Sequence, residues 1–206
     1  MEPTEENIRV WDEVHRRIAE GPDEVTLPDV VRERLPNLEG RHVLHLNCGE
    51  GEQTVELAAL GALVTGVDPS DEALTVARRR NPAVAWVQAH PEALPLELQR
   101  GRFHLVYATG LAAHKRAIEA SAKGIESALR PGGYLLLHEP HPVAAHIDTL
   151  GRWREDYFDV GSARVGELLT ALGQAGLALR RLEEFPLPKP QDRVPGELLL
   201  VARKLA

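Results

Sequence analysis

The chain has 206 residues, of which 43% are hydrophobic and 27% are charged, which excludes a disordered polymer and fits one domain over residues 1–206. Its formal net charge of −7 excludes a global attraction to nucleic acid or to an anionic membrane, so we expect neither as a partner. No apolar run approaches the roughly 18 residues of a membrane span, the opening is acidic rather than signal-like, and the single cysteine cannot form an internal disulfide. We therefore expect a cytoplasmic protein.

The first 35 residues predict two helices. Thr4 to Ala19 has a capping threonine, acidic residues in its first turn and an apolar stripe that includes Trp11. Gly21-Pro22 ends this helix, and a shorter helix is expected around Pro28 to Leu35. The pattern leaves open whether Trp11 belongs to the core or to a face that covers a site.

The next stretch predicts a strand, a turn, a helix and a second strand. The first strand is Val43 to Leu46, the helix is Gln53 to Leu60, and the second strand runs from Leu63 to Asp68. The turn between them, residues 47–51, contains two glycines that can take positive φ and let a ligand lie against the backbone. A carboxylate at the end of the second strand can accept hydrogen bonds from both ribose hydroxyls. The stretch therefore predicts a nucleoside-binding βαβ unit.

The turn also favours one class of nucleoside. A dinucleotide site has a third glycine, which brings the helix N-terminus up to a pyrophosphate, and this chain lacks it after Gly51. Glu50 and Glu52 would place negative charge where the phosphates would lie. A cationic ligand without phosphate fits better, and S-adenosylmethionine (SAM) is the candidate.

Strands and helices continue to alternate after this unit. The predicted elements are a helix capped by Ser70 and stopped by Asn81-Pro82, strands Ala83 to Gln88 and Phe103 to Ala108, a helix from His114 to Leu129, a type II turn at Arg130 to Gly133, strand Tyr134 to His138, a helix capped by Ser162 and closed by Gly176, and strands Leu177 to Glu184 and Glu197 to Arg203. The last two strands predict a hairpin. This opposes an NAD-dependent dehydrogenase, whose sheet would continue with parallel strands.

These motifs resemble those of class I SAM-dependent methyltransferases. The matching segments are V-L-H-L-N-C-G-E-G with V-T-G-V-D, then H-P-E-A-L-P, F-H-L-V-Y-A and L-R-P-G-G-Y-L. His45 stands where the family has an acid, Asn47 replaces the first glycine, and His90 replaces a second acid. The resemblance implies an α/β fold of three layers, with a doubly wound seven-stranded sheet that is mostly parallel and has an antiparallel C-terminal strand.

The resemblance also implies a cofactor site at the carboxyl ends of the strands. It assigns SAM binding to His45, Asn47, Gly49, Gly51, Thr54, Asp68, Pro69, His90, Pro91, Glu92, Ala108 and Thr109. Asp68 would hold the ribose and the glycines would admit the methionine portion. His90 and Glu92 would lie near adenine, where an imidazole can hydrogen-bond or stack.

The acceptor would lie beside an insertion at residues 139–161, under a helical cover formed by residues 1–35. The implied pocket residues are Trp11, Tyr107, Glu139, His141, His146 and Tyr157. His141 is the first candidate for a general base, followed by Glu139 and His146. The histidine spacing at 138, 141 and 146 does not aim three rings at one ion, so no metal is expected. A cover loop without chemistry is the alternative.

The sequence therefore predicts a methyltransferase that uses SAM, releases S-adenosylhomocysteine (SAH), and acts on a small molecule as a monomer or homodimer. A SAM-binding or SAH-binding protein without transferase activity is the second hypothesis, because His45, Asn47 and His90 depart from the family pattern. An RNA acceptor is opposed by the acidic balance, and the acceptor itself is not identified.

Overall fold

The computed structural model describes residues 27–148, 152–154, 156–158, 162–188 and 192–205. The predicted helix from Thr4 to Ala19, with Trp11, lies outside the described residues, as does part of the predicted insertion at 139–161. Domain organisation over the whole chain therefore stays a prediction.

The described residues form five α-helices and seven strands. The helices are α1 (Asp29–Arg32), α2 (Glu52–Ala59), α3 (Asp71–Arg80), α4 (Ile118–Ala128) and α5 (Val165–Gln174), and the strands are β1 (His42–Leu46), β2 (Leu63–Asp68), β3 (Ala85–Gln88), β4 (Phe103–Ala108), β5 (Leu129–Pro140), β6 (Leu177–Pro186) and β7 (Pro195–Lys204). Short 3₁₀ turns occupy Pro91–Ala93, Lys115–Ala117 and Ala144–His146. Among these helices, none is both long enough and apolar enough to cross a bilayer.

The seven strands form one sheet in the order β3-β2-β1-β4-β5-β7-β6. The first five strands pair in parallel, whereas β7 pairs antiparallel with both β5 and β6. The expected fold class, a mostly parallel sheet with an antiparallel C-terminal end, is confirmed. The chain reverses its direction of winding between β1 and β4, and ligands of doubly wound sheets bind at such a switch point, beyond the carboxyl ends of the strands.

Helices cover both faces of the sheet because successive strand residues point to opposite sides. One apolar layer joins Leu44 of β1 to Ile125 of α4 and Leu168 of α5. The other joins Val43 of β1 to Leu57 of α2 and to α1. These two layers hold the strand ends in fixed relative positions.

Several predicted boundaries were wrong. Helix α4 begins at Ile118 rather than His114, after a 3₁₀ turn at Lys115–Ala117, and β3 begins at Ala85 rather than Ala83. Helix α5 begins at Val165 with Arg164 as its N-cap, because the Glu167 carboxylate accepts the Arg164 backbone N–H at 3.0 Å, so Ser162 does not cap it. Strand β5 begins at Leu129 rather than Tyr134. Gly132 takes φ +74 there, and the ladder to β4 is irregular between Phe103 and Leu105. The predicted turn is thus a kink within the strand.

Candidate functional site

The turn between β1 and α2 keeps the shape of a glycine loop despite the asparagine at its start. Asn47, Gly49 and Gly51 have φ values of +55, +53 and +86. Asparagine tolerates this left-handed region better than other residues with a side chain. Its Nδ2 also donates to the Thr109 carbonyl oxygen at 2.6 Å, which ties the end of β1 to the end of β4. Asn47 therefore adopts the left-handed conformation that a glycine would supply at the start of the turn.

Gly51 is the N-cap of α2 and lies against an aromatic ring. A Cβ built at Gly51 would come within 2.5 Å of the Trp86 ring and 3.0 Å of the Ala77 side chain. The same ring covers Gly66, and the Trp86 Nε1 donates to the Asn81 carbonyl oxygen at 2.9 Å, so the indole is held in place. Only glycine fits at this position.

Asp68 ends β2 beside this turn. Its Oδ2 accepts the Gly49 N–H at 2.8 Å and its Oδ1 accepts the Ser70 N–H at 2.9 Å, while the residue is 8% exposed. A carboxylate offers about four lone-pair positions, so acceptor positions remain for two ribose hydroxyls. Ser70 in turn caps α3 by accepting the Ala73 N–H at 3.1 Å.

His45 and Thr54 lie beneath the turn rather than on its open side. Both are buried, and the His45 Nδ1 and Thr54 Oγ1 share a hydrogen bond of 2.7 Å. The His45 ring stacks on Tyr107 with centroids 4.7 Å apart, and its Nε2 has no hydrogen-bond partner among the described residues. Burial lowers the pKa of His45 to about 3, so the imidazole is neutral and supplies no charge. Direct contact of this pair with a cofactor stays a prediction.

His90 and Pro91 follow the carboxyl end of β3, next to the carboxyl end of β2 where Asp68 lies. The Ala89 N–H donates to the Asp68 carbonyl oxygen at 3.2 Å, which brings the two segments together. His90 is exposed, its Nδ1 lies 3.8 Å from a Glu92 carboxylate oxygen, and Pro91 is buried. The histidine ring is therefore available to a ligand that enters beside Asp68.

Cys48 is buried within the turn and is not a nucleophile candidate. Burial, followed by the nearby charge of Asp68, raises the pKa of its thiol to about 12. The thiolate, which is the reactive form, is therefore negligible at neutral pH.

Tyr107 does not line an open pocket, contrary to the prediction. It is fully buried, and its hydroxyl donates to the Gln53 Oε1 of α2 at 3.0 Å. Because it shares the strand face of Leu105, its ring belongs to the apolar layer under α2. Burial, with smaller contributions from Glu139 and Glu56, raises the pKa of its phenol.

The acceptor-side residues after β5 are engaged by the protein itself. Glu139 is 1% exposed, and its Oε1 accepts the Leu111 N–H at 2.6 Å. His146 is buried with its ring edge-to-face against Tyr157, with centroids 5.7 Å apart. The structure brings these residues to one end of the sheet, but it does not present Glu139 to solvent. No group of three potential metal-binding side chains occurs among the described residues.

His141 is not available as a general base in this arrangement. Its Nδ1 accepts the Val143 N–H at 3.1 Å, so the hydrogen lies on Nε2, which is 2.9 Å from a Glu184 carboxylate oxygen. Burial lowers the pKa of His141 although Glu184 opposes the shift. Both nitrogens are occupied in this arrangement, so His141 could take an acceptor proton only if its bond to the Val143 N–H were released, and its role as a base stays a prediction.

Arg80 contacts the glycine turn, although its sequence pattern did not predict this. Its Nε donates to the Glu50 carbonyl oxygen at 3.1 Å, and its guanidinium lies 2.6 Å from the Glu52 carboxylate and 3.6 Å from that of Glu50. It thus clamps the outer side of the glycine turn. The only sequence signal was its place in the basic run that ends α3.

The buried carboxyl of Glu139 predicts a pH-dependent stability. Burial raises its pKa to about 8 against the opposing amides of residues 110–112, whereas an unfolded glutamate has 4.5. Between these values the folded chain retains a proton on Glu139 that the unfolded chain has lost, so the contribution of Glu139 to the free energy of unfolding falls as pH rises through this window and levels off above it. The lowered pKa of His45 contributes in the opposite direction at the acidic end of the window, and it does so equally in both proteins. In urea denaturation, the free energy of unfolding of the wild type minus that of Glu139→Gln should therefore fall across this range. Parallel curves for the two proteins would contradict the assignment.

Comparison with known proteins identifies the family. Residues 43–133 match the family model described as a methyltransferase domain. An uncharacterized methyltransferase of Synechocystis sp. is 38% identical over 164 residues, which cover 72% of each chain. Trans-aconitate 2-methyltransferase of Paracidovorax citrulli is 32% identical over 140 residues, 64% of this chain and 54% of that protein. Other relatives are named tRNA U34 carboxymethyltransferases.

The solved structures agree with the sequence relatives. A SAM-dependent methyltransferase from Mesorhizobium loti superposes with a TM-score of 0.71 at 27% identity, covering 85% of this chain and 96% of that one. The chain spans about half the length of several curated relatives, so their whole activities are not carried over. The seven-stranded sheet of this chain agrees with these likenesses. The chain therefore belongs to the class I SAM-dependent methyltransferases.

Proposed function

We propose that this protein transfers the methyl group of SAM to a small-molecule acceptor and releases SAH. The observation that carries the cofactor assignment is Asp68, whose carboxylate is held beside the glycine turn at 2.8 Å from the Gly49 nitrogen, with acceptor positions to spare. Asp68 lies at the carboxyl ends of the strands, next to the switch point between β1 and β4, where doubly wound folds bind nucleosides.

The surrounding residues suit the parts of SAM. Asp68 would accept hydrogen bonds from the ribose hydroxyls, and the open side of Gly49, where a Cβ would meet no atom within 4 Å, leaves room for the methionine portion. The exposed ring of His90, with Pro91 and Glu92, would flank the adenine, next to Pro69. Ala108 and Thr109 at the end of β4 would form the floor.

A dinucleotide fits this turn poorly. Thr54 occupies the place of the third glycine, and its side chain is buried and bonded to His45. Glu50 and Glu52 flank the same turn, with Arg80 engaged by both carboxylates. A pyrophosphate would meet a filled space and negative charge, whereas a sulfonium cation would not.

The chemistry needs little from the protein beyond alignment. SAM supplies a methyl group that is already activated by the positive sulfur. The protein must place the acceptor atom in line, so that its bond to the methyl carbon forms as the carbon–sulfur bond breaks, and must exclude water. No base is assigned, because His141 has both nitrogens occupied and Glu139 is turned into the protein.

The acceptor is proposed to be a small molecule, on the strength of the net charge of −7 and of relatives such as the trans-aconitate enzyme. Relatives named for tRNA make an RNA acceptor the first alternative to test. The cytoplasm as location and a monomer or homodimer as the assembly remain predictions.

A second candidate is a SAM-binding or SAH-binding protein without transferase activity. It is favoured by one observation: His45, in the place of the family's acid, is neutral and buried, so it cannot offer a carboxylate to the methionine end. Turnover distinguishes the two candidates, since both predict binding.

Calorimetric titration of the purified chain with SAM, SAH and NAD tests the cofactor. We expect SAM and SAH to bind in the micromolar range, about 8 kcal/mol, and NAD not to bind. Binding of NAD alone, or of none of the three, would overturn the proposal. Acceptor screening with labelled SAM, over small carboxylic acids and phenols and over unmodified tRNA, then separates a transferase from a binding protein.

A further inference from the structure

Three hydrogen bonds, connected by two short stretches of backbone, cross the carboxyl ends of β5, β4, β1 and β2. They involve Glu139, the loop at residues 109–112, Asn47, Gly49 and Asp68, and we call this set the carboxyl-end network. Its two ends are the acceptor-side strand and the ribose-binding carboxylate. Each link joins neighbouring strands of the sheet.

The first link fixes the loop after β4. Glu139 is buried, and its Oε1 accepts the Leu111 N–H at 2.6 Å, while the neighbouring amides of Gly110 and Ala112 oppose the rise in its pKa. Leu111 precedes the 3₁₀ turn Lys115–Ala117, so its N–H has no helical partner. The buried carboxyl takes the place of the water that an exposed loop would use.

The second link carries this constraint to the glycine turn. The Thr109 carbonyl oxygen, immediately before the loop, accepts the Asn47 Nδ2–H at 2.6 Å, and the Thr109 Oγ1 lies 3.5 Å from the Asn47 carbonyl oxygen. Asn47 has φ +55, a conformation that a residue with a side chain adopts at a cost. The bond to Thr109 therefore helps to hold the strained start of the turn.

The third link reaches the ribose site. The Gly49 N–H, two residues beyond Asn47, donates to the Asp68 Oδ2 at 2.8 Å. The position of the carboxylate thus depends on the turn, and the turn depends on the loop that Glu139 holds.

We propose that Glu139 is a positioning residue for the cofactor site, which acts through the loop at 109–112 and Asn47 without touching the cofactor. This inference rests on the proposed function. It assigns Glu139 to cofactor affinity rather than to the acceptor pocket, since its carboxyl is directed at backbone amides. Coupling of this kind requires a contiguous chain of contacts, which the network supplies, and a measured interaction energy.

A double-mutant cycle on SAH affinity tests the proposal. The variants are Glu139→Ala, Asn47→Gly, which keeps the positive φ but deletes the amide, and the double variant. Glu197→Gln is the control, because this partly exposed glutamate lies on the neighbouring strand and binds His138, outside the network. Thermal unfolding of each variant separates loss of fold from loss of binding. If Glu139→Ala does not fold, Glu139→Met, which keeps most of the side-chain volume but removes the carboxyl acceptor, replaces it in the cycle.

We expect Glu139→Ala to weaken SAH binding roughly tenfold and Asn47→Gly roughly fivefold, with the double variant close to the larger single effect. Glu197→Gln should bind as the wild type does. Independent effects, which would weaken the double variant about fiftyfold, or an unchanged affinity in Glu139→Ala, would overturn the positioning role while the proposed function stands. Failure of the wild type to bind SAH would instead remove the proposed function, and this inference with it.

Discussion

Replacing Asp68 by alanine is expected to weaken SAM and SAH binding at least about a hundredfold. Hydrogen bonds to a charged group contribute about 1.5–3 kcal/mol each, and the change removes the acceptor for both proposed ribose hydroxyls. It also releases the Gly49 and Ser70 amides, which Asp68 holds at 2.8 and 2.9 Å. The substitution would therefore remove a contact that holds the turn and also the group that binds the ribose.

The measurement is calorimetry with SAH, alongside a matched acidic control. Asp71→Asn removes a nearby exposed carboxylate, one that pairs with Arg78 at 3.3 Å and takes no part in the turn, so its affinity should equal that of the wild type. Asp68→Asn keeps one acceptor oxygen, so its affinity for SAH should lie between those of the wild type and Asp68→Ala. An Asp68→Ala protein that folds and still binds SAH as tightly as the wild type would exclude Asp68 from the site.

Gly51→Ala is expected to lower the free energy of unfolding by about 2–5 kcal/mol. A left-handed backbone costs a residue with a side chain roughly 1–2 kcal/mol, and Gly51 has φ +86. Overpacking adds about 1–3 kcal/mol, because the new methyl would lie 2.5 Å from the Trp86 ring. The ring is held in place, because its Nε1 is bonded to the Asn81 carbonyl oxygen and the same six-membered ring also packs against Gly66.

Gly49→Ala is the internal control for this prediction. Gly49 also has positive φ, at +53, but a Cβ there would meet no atom within 4 Å. Only the cost of the left-handed backbone applies, so the free energy of unfolding should fall by about 1–2 kcal/mol. Urea denaturation of both variants measures the difference. Equal losses for the two glycines would show that the contact with Trp86 carries no energy.

Hydrophobic periodicity and turn residues were sufficient to predict most of the strands and helices. Strand β4 lies at Phe103–Ala108 as predicted, because a continuous apolar run between turns leaves little choice. The antiparallel pairing of β6 with β7 also follows from two consecutive strands separated by a proline-rich segment. Boundaries failed where a distant group decides them, as at α5, whose first turn is set by Glu167 bonding to Arg164.

The position of Asp68 was predictable, because an apolar strand that ends on a carboxylate after a glycine turn has few possible arrangements. The structure places Asp68 beside that turn, bonded to the Gly49 N–H, and its role toward a cofactor stays a prediction. The acceptor side was less predictable, because Glu139 and His141 are reactive residue types whose roles depend on which neighbours consume their hydrogen-bonding capacity. Leu111, Val143 and Glu184 do so here, at sequence separations of 28, 2 and 43. For Tyr107 a signal did exist, since it alternates in phase with Leu105.

The sequence by itself determined the family, the strand–turn–helix unit and the nature of the cofactor class, because local backbone requirements and motif spacing leave few alternatives. Only the tertiary structure decided which polar groups remain free. It showed that Asn47 takes the glycine conformation, that His45 is neutral under the turn, and that Glu139 is directed at backbone amides. Burial and hydrogen-bond partners arise from contacts between distant segments, and these alone fix the charge and the availability of a side chain.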